Sequence, residues 1–304
     1  MEIDARWNDT LFICDLDGTL LDSSGKVSPK TDAVFGRLMN EPNLHITFAT
    51  ARSYQTAYKT IDQLSGRLPF ITNNGAFVYE PQNRVPIKAN YLSQADAIFL
   101  SYIILTCGAH PFVFAHQAKG VETVTWAAGH ESEGMRHFLH RRAGDPRLRP
   151  LNQDWSTNIM GGQVFSVILM DEKERLEPFY QLLRQDGRFS LIFQQELYRS
   201  EYWLFIQAKE TDKGQSARFL KESLNLDRIV AFGDSPNDLP LFEMADESYA
   251  VANAVPELKA VADAVIAGND EDAVADFISG TLLTTPKEDI AAKRLFDQGA
   301  GGLL

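Results

Sequence analysis

The residues Leu11-Phe12-Ile13-Cys14-Asp15-Leu16-Asp17-Gly18-Thr19-Leu20-Leu21 place four apolar side chains directly before two acids. A short unbroken apolar run that ends in a turn suits a strand buried on both faces, as in a parallel sheet. On an extended chain, residues two apart point to the same side. The spacing therefore predicts that Asp15 and Asp17 leave the strand end as a pair, at the carboxyl edge where open parallel sheets place their ligands. Gly18 lets the backbone turn away at once. Two carboxylates this close repel and call for a cation or a shared proton. One can attack phosphorus while the other gives a proton to the departing alkoxide.

A second stretch has the same logic. Gly233-Asp234-Ser235-Pro236-Asn237-Asp238 follows the apolar run 228–233. Asp234 opens the loop, where a carboxylate can close a metal site, and Asp238 is near enough in sequence to point into the same pocket. Thr50 ends another apolar run, 46–50. A hydroxyl beside a helix start can donate to a phosphate oxygen, although a capping Thr explains it as well. Lys213 stands in Thr211-Asp212-Lys213-Gly214, just before a helix that begins near Gln215. Read alone, it is a solvent-facing lysine, and the helix dipole does not favour it there.

The rest of the chain places these loops. Ser28 reads as a helix cap with Pro29 at the first helical position. A helix over 53–64 and a strand over 70–72 follow, the latter running into the turn Asn73-Asn74-Gly75. Strands and helices in alternation mean parallel strands with right-handed crossovers. The alternation returns after 228, with helices over 239–245, 256–262 and 271–278 and strands over 248–252 and 264–267. Between the two parts lies a different pattern. Helices are expected over 93–107, 131–142 and 172–185, strands over 112–116, 121–126, 164–170, 189–193 and 202–206, and a Gly/Pro-rich loop over 144–162. That order suits an α+β module with a largely antiparallel sheet. Hinges are expected at 81–86 and 208–211, giving domains of 1–84 with 209–304, and 85–208. The chain after Thr281 reads as a final helix and a loose Gly-rich tail.

Composition narrows the partners. In 304 residues, 29 Lys and Arg face 41 Asp and Glu, a formal net charge of −12, which repels nucleic acid and anionic membranes. With 44% hydrophobic and 23% charged residues, the chain has the balance of a soluble globular protein. Cys14 and Cys107 both lie in apolar stretches and read as two buried free thiols in a reducing compartment. The first residues carry acids and no apolar signal core, and the longest apolar stretch, 97–107, is too short to span a bilayer. A cytoplasmic location is the expectation.

In order along the chain, Asp15-Leu16-Asp17-Gly18-Thr19, Thr50, Lys213 and Gly233-Asp234-Ser235-Pro236-Asn237-Asp238 resemble the four motifs of the haloacid dehalogenase-like superfamily. Thr72-Asn73-Asn74-Gly75-Ala76 is similar to the turn of its Cof-type subfamily, and the module between Thr50 and Lys213 resembles the class II, subtype B cap. Val251-Ala252-Asn253-Ala254-Val255 and Asn269-Asp270-Glu271-Asp272 fit its C-terminal segments, so the resemblance runs to about Ile278. Ala51, Ala252 and Ala273 stand where that family often has glycine, and none removes a reacting group.

The resemblance implies an α/β fold, a Rossmann-like parallel-sheet core with an inserted α+β cap domain. It implies a Mg2+-dependent phosphomonoester hydrolase acting through an aspartyl phosphate on a small phosphorylated metabolite, a sugar phosphate in particular. Asp15 would be the nucleophile and Asp17 the acid and base. Thr50, Lys213 and Asn237 would hold the phosphate. The metal would take Asp15, the Asp17 backbone carbonyl and Asp234, with Asp238 behind it. Charge supports a cation, since each like pair at about 4 Å costs about 1 kcal/mol even in water. A ligand set made only of oxygens favours Mg2+. Arg52, His116, Arg199 and Trp203 are further substrate-contact candidates. A phosphomutase or phosphotransferase with the same nucleophile and a non-catalytic phosphometabolite sensor are the competing readings.

Overall fold

The computed structural model describes residues 4–82, 85–117, 120–152, 162–196 and 199–282. The first part of the chain runs β1 (Thr10–Cys14), α1 (Pro29–Leu38), β2 (His45–Phe48), α2 (Tyr54–Gln63), β3 (Phe70–Thr72), β4 (Phe77–Tyr79) and β5 (Pro86–Ala89). The middle runs α3 (Gln94–Thr106), β6 (Phe112–His116), β7 (Glu122–Ala127), α4 (Glu133–Arg141), β8 (Leu148–Leu151), β9 (Gln163–Asp171), α5 (Lys173–Asp186), β10 (Phe189–Gln195) and β11 (Tyr202–Ala208). The last part runs α6 (Lys213–Ser223), β12 (Arg228–Gly233), α7 (Leu239–Met244), β13 (Glu247–Ala250), α8 (Pro256–Val261), β14 (Ala264–Val265) and α9 (Ala273–Leu282).

The two distant α/β segments complete one sheet, as their alternation implies. Its order is β14-β13-β12-β1-β2, with every neighbouring pair parallel. Every residue of β1 is buried, the expected state of a central strand covered on both faces. Ser28 caps α1 by accepting from the Thr31 N–H, with Pro29 next in line. Register then builds the functional edge. Cys14 lies opposite Phe48 on one side and Phe232 on the other, and the Asp15 N–H donates to the Phe232 carbonyl at 3.0 Å. The loops after β1, β2 and β12 therefore emerge together.

β3 departs from the expected pattern. It touches the β2 edge through one parallel bridge, Ala49 to Ile71, then turns back as the first strand of an antiparallel sheet, β3-β4-β5. The reversal uses Asn73 and Asn74 at φ 51° and 56°. Asparagine tolerates that left-handed region because its short side chain bonds locally. Gly75 follows at φ 95°, with the Asp212 backbone packed against it. Residues 80–85 connect β4 to β5, so the hinge expected at 81–86 falls within a hairpin of this sheet, with residues 83–84 outside the described residues.

The middle of the chain forms a six-stranded sheet of order β10-β11-β9-β6-β7-β8. All neighbours are antiparallel except β7 and β8. The expected loop over 144–162 is thus corrected, because β8 lies inside it, and 153–161 fall outside the described residues. β8 reads Leu-Arg-Pro-Leu, with no apolar run to mark it. It joins the sheet as an edge, where a proline costs no ladder bond. One face of this sheet packs on α3 and α5 through Leu100, Ile104, Leu176 and Leu183. On the other, α4 covers part of the surface with Met135 and Phe138, while Phe114, Trp203 and Phe205 stay partly buried. Cys14 is buried as expected, but Cys107 is exposed. It follows the last residue of α3, past the face that docks. No helix among the described residues is long and apolar enough to cross a membrane.

An alanine at position 75 would put its Cβ 2.1 Å from the Asp212 carbonyl oxygen, at a φ that only glycine adopts freely. Gly75→Ala is expected to cost at least about 2 kcal/mol of stability in urea denaturation. An unchanged midpoint would contradict the close approach.

Candidate active site

Beyond β1 the chain winds rather than staying extended. Residues Leu16–Leu20 form one turn, with Gly18 at φ 79°. This changes the expected pairing of the two acids. Asp15 points inward and is buried. Asp17 points outward, its side chain 48% exposed, and both its oxygens accept from Arg52, at 2.5 and 2.8 Å.

Lys213 is fully buried, not solvent-facing. It is the first residue of α6, whose cap is Asp212 accepting from the Gln215 N–H at 2.7 Å. Its ammonium donates to Asp15 Oδ1 at 2.7 Å and to Asp238 Oδ1 at 2.6 Å. Burial alone would lower its pKa, but the two carboxylates outweigh it and hold the ammonium above its ordinary value. Asp15 sits well above the usual carboxylate range. Burial is the main cause, Lys213 opposes it, and the charges of Asp238 and Asp234 add to it. Asp234 is raised to about 6 by burial and by Asp238.

The β12 loop closes on itself. Asp238 Oδ2 accepts from the N–H groups of Asp234 and Ser235, both at 3.1 Å. Asp234 accepts from Ser235 Oγ at 2.9 Å and from Thr19 Oγ1 at 3.2 Å. Carboxylate oxygens of Asp15, Asp234 and Asp238 lie within 4.8 Å of one another, the one such cluster among the described residues. The Gly18 backbone makes this possible, since a Cβ there would meet Asp234 Oδ2 at 2.5 Å. Asn253 and Asn269 buttress the β1 loop by donating to the carbonyls of Gly18 and Leu21, at 2.7 and 2.8 Å.

Thr50 is fully buried. Its oxygen accepts from the Arg52 N–H at 3.1 Å, which leaves its hydrogen to donate. Asn237 donates to Asn74 Oδ1 at 2.9 Å, and its own Oδ1 is buried without a partner. The Asn73-Asn74-Gly75 turn thus reaches the β12 loop. Thr19, Asn74 and Asn253 were not singled out as site residues from sequence, although all three lie inside stretches that the motifs mark.

A cavity of about 540 Å3 opens between the core loops and the six-stranded sheet, with Asp17, Arg52 and Asn74 on one wall and Phe138, Trp203 and Phe205 on the other. Of the three cap residues named from sequence, only Trp203 lines it. His116 is bonded to the Tyr91 hydroxyl at 2.8 Å and lies against Phe77 and Phe165. Arg199 pairs with Glu201 and Glu133. Arg147 ties the two walls, donating to Ser53 Oγ at 2.6 Å and pairing with Glu122 and Asp145. No sequence pattern marked it.

The parallel-sheet core thus carries buried carboxylates beyond its strand ends and a buried lysine at the start of α6, facing a second module across a cleft. A sequence profile of haloacid dehalogenase-like hydrolases matches residues 12–278. The chain is 25% identical over 278 residues to the 5-amino-6-(5-phospho-D-ribitylamino)uracil phosphatase YitU of Bacillus subtilis, covering 88% of this chain and 96% of that protein. It is 24% identical over 296 residues to the phosphatase YwpJ of the same organism, covering 90% and 99%. Its structure resembles that of TM0651 from Thermotoga maritima, with a TM-score of 0.71, 25% identity and 92% and 99% coverage. It also resembles the HAD subclass IIB sugar phosphatase BT4131, with a TM-score of 0.70, 17% identity and 89% and 98% coverage. The chain belongs to the haloacid dehalogenase-like hydrolases, as a Cof-type member, and it is a phosphatase.

Lys213→Met would leave two buried carboxylates without their cation, at a cost of about 3–5 kcal/mol. A carboxyl whose pKa is raised in the folded state lends stability that is present at low pH and lost as pH rises. The deficit of the variant against the parent is therefore expected to be larger at pH 7.5 than at pH 5 in urea denaturation. An equal or smaller deficit at pH 7.5 would contradict the buried bridge.

Proposed function

We propose that the protein is a Mg2+-dependent phosphomonoester hydrolase that forms an aspartyl phosphate on Asp15. The observation that carries this reading is Asp15 itself. It is buried at a sheet edge, with Oδ1 taken by Lys213 and Oδ2 left to react. Three carboxylates within 4.8 Å, all oxygen donors, fit Mg2+, and a cation would offset both the burial that chiefly raises Asp15 and Asp234 and the neighbouring carboxylates that add to it. Asp15, the Asp17 carbonyl and Asp234 would hold the ion. Asp238 is engaged by Lys213 and two N–H groups and positions the others. Bound Mg2+ supplies charge neutralisation for the phosphate and for the nucleophile.

Asp15 Oδ2 attacks phosphorus as the bond to the leaving oxygen breaks, and Asp17 gives that oxygen its proton. Lys213, the Thr50 hydroxyl and Asn237 take the charge on the transferring group. Asp17 then removes a proton from water, which attacks the same phosphorus. The bond to Asp15 breaks and inorganic phosphate leaves. The division expected from the sequence, 1–84 with 209–304 as the core and 85–208 as the cap, is kept except that β5 pairs with β4 on the core side, and the cap face excludes water while Asp15 is phosphorylated. The substrate is a small phosphorylated metabolite. The name of YitU supports a phosphorylated sugar or polyol portion. A net charge of −12 fits neither a nucleic-acid nor a membrane partner, and a chain with two free cysteines suits the cytoplasm.

Asp15→Asn is expected to lower phosphate release by about a thousandfold or more, and a chelator to abolish it until Mg2+ is restored. Release unaffected by both would refute the mechanism, and an isomerised ester in place of phosphate would mark a phosphotransferase. Since protons compete for Asp234 with its pKa near 6, Mg2+ binding by calorimetry is expected to weaken from pH 7.5 to pH 5.5. Affinity that rises over that range would contradict the assignment of Asp234 as a ligand.

A further inference from the structure

Among the described residues, four α-helices start at a serine with the same backbone geometry, yet one of these serines does not cap its helix. Ser28, Ser53, Ser93 and Ser132 stand at N-caps with φ between −64° and −71° and ψ between 156° and 171°. The hydroxyls of Ser28, Ser93 and Ser132 accept from the N–H three residues on. Ser53 makes no such bond to α2. A serine here ordinarily gives its oxygen to the first helical turn, so the exception needs a cause. Ser53 Oγ accepts instead from Arg147 Nη1, at 2.6 Å. The Thr56 hydroxyl donates to the Ser53 carbonyl, which leaves the Ser53 hydrogen for Thr56 Oγ1, at 3.1 Å.

Arg147 reaches Ser53 from the other module, from the loop between α4 and β8. Its Nε and Nη2 donate to Asp145, and Nη1 donates to Glu122 as well as to Ser53. Four of its five N–H donors are thereby placed within the protein. The side chains of Arg147, Glu122 and Asp145 are only 10%, 8% and 15% exposed. A guanidinium gripped on two sides by carboxylates is oriented before it meets Ser53. Ser53 in turn ends the loop that carries Thr50 and Arg52. Thr50 Oγ1 accepts from the Arg52 N–H, and the Arg52 guanidinium holds both oxygens of Asp17 and reaches Thr60 on α2. The start of α2 therefore decides where Asp17 is held.

We propose that Ser53 and Arg147 form a latch through which the cap places Asp17. Both are positioning residues, acting on the leaving oxygen through Arg52 and Asp17. With the latch made, the Ser53 oxygen is turned away from its own helix and the loop over 50–53 is fixed from the cap. With the latch broken, Ser53 caps α2 as the other three serines cap their helices, and Arg52 and Asp17 shift with the loop. One hydroxyl with two alternative donors is a two-state element whose balance the cap sets. This rests on the reading above that Asp17 gives the leaving oxygen its proton.

Removing Arg147 outright would strand two buried carboxylates and endanger the fold. The test therefore uses Ser53→Ala, which deletes only the core half, and Arg147→Lys, which keeps the charge between Glu122 and Asp145 without the fork. Ser53→Ala is expected to lower kcat about tenfold on ribose 5-phosphate, whose leaving oxygen needs a proton, and less than about twofold on p-nitrophenyl phosphate, whose leaving group departs as an anion. A serine with a merely structural role would cost both esters alike. The double variant is expected to be no worse than Arg147→Lys alone, because both remove the same bond. In the substrate-free protein, Arg147→Lys is expected to speed amide hydrogen exchange over 50–57, across the cleft from the substitution. Equal losses on the two esters, fully additive losses, or unchanged exchange over 50–57 would overturn the latch. Asp17→Asn separates this proposal from the mechanism it rests on. If Asp17→Asn costs ribose 5-phosphate selectively and Ser53→Ala does not, the latch falls and the mechanism stands. If Asp17→Asn costs both esters alike, the acid role of Asp17 falls, and faster exchange over 50–57 still supports the latch while unchanged exchange overturns it.

Discussion

An ammonium wholly out of water, 2.7 Å from Asp15 and 2.6 Å from Asp238, is the interaction on which the site depends. None of these charges could remain buried alone, because desolvation of an unpaired ion costs several kcal/mol. Together they fix three chain segments that are remote in sequence. The end of β1, the start of α6 and the loop after β12 must all be in register before the charges can meet. The fold supplies that register through the central strands, and glycines at close approaches let the backbones come near enough. Gly18 admits Asp234, and Gly75 admits the Asp212 backbone beside Lys213.

The bridge also divides labour between the acids. Lys213 holds Oδ1 of Asp15, so the direction of that carboxylate is set before substrate arrives. Asp238 spends both oxygens on holding Lys213 and its own loop. Asp17 is kept outside the cluster by Arg52, on the cleft wall, which is the position that the proposed proton transfer to the leaving oxygen requires. Positive charge at the cleft mouth offsets the acidity of the whole chain. Arg141 and Arg142 line the cavity and form no ion pair among the described residues. Arg142 packs on the Phe138 ring, 3.8 Å from its centre. Desolvation there, with the charges of Arg147 and Arg141, lowers it to about 10. Local cations of this kind draw in a phosphate that the net charge would repel.

Much of this was legible in the sequence, for identifiable reasons. β1 and β12 are apolar runs that end in acids and glycine, and period and punctuation mark them plainly. Asp15, Asp234, Asp238 and Lys213 were named from their motifs, and they cluster. What escaped reading was decided by tertiary contact. Lys213 at a helix start looks solvent-facing because a helix pattern carries no record of two carboxylates arriving from other strands. Asp15 and Asp17 look like a pair because alternation assumes an extended chain, and the turn at Gly18 sends them apart. β4 and β8 are short strands, three and four residues long, whose pairing comes from neighbours rather than from their own composition. His116 and Arg199 carry the right chemistry, but they are spent on Tyr91 and on glutamates.

The most direct measurement is acid quench of the Mg2+-loaded protein during turnover of a phosphomonoester that it hydrolyses, followed by peptide mapping by mass spectrometry. The account predicts one added phosphoryl group, labile to hydroxylamine, on the peptide that contains Asp15, and its absence when substrate is omitted. Steady release of phosphate with no phosphoryl group trapped on that peptide at any quench time, or one trapped on a different carboxylate, would contradict it.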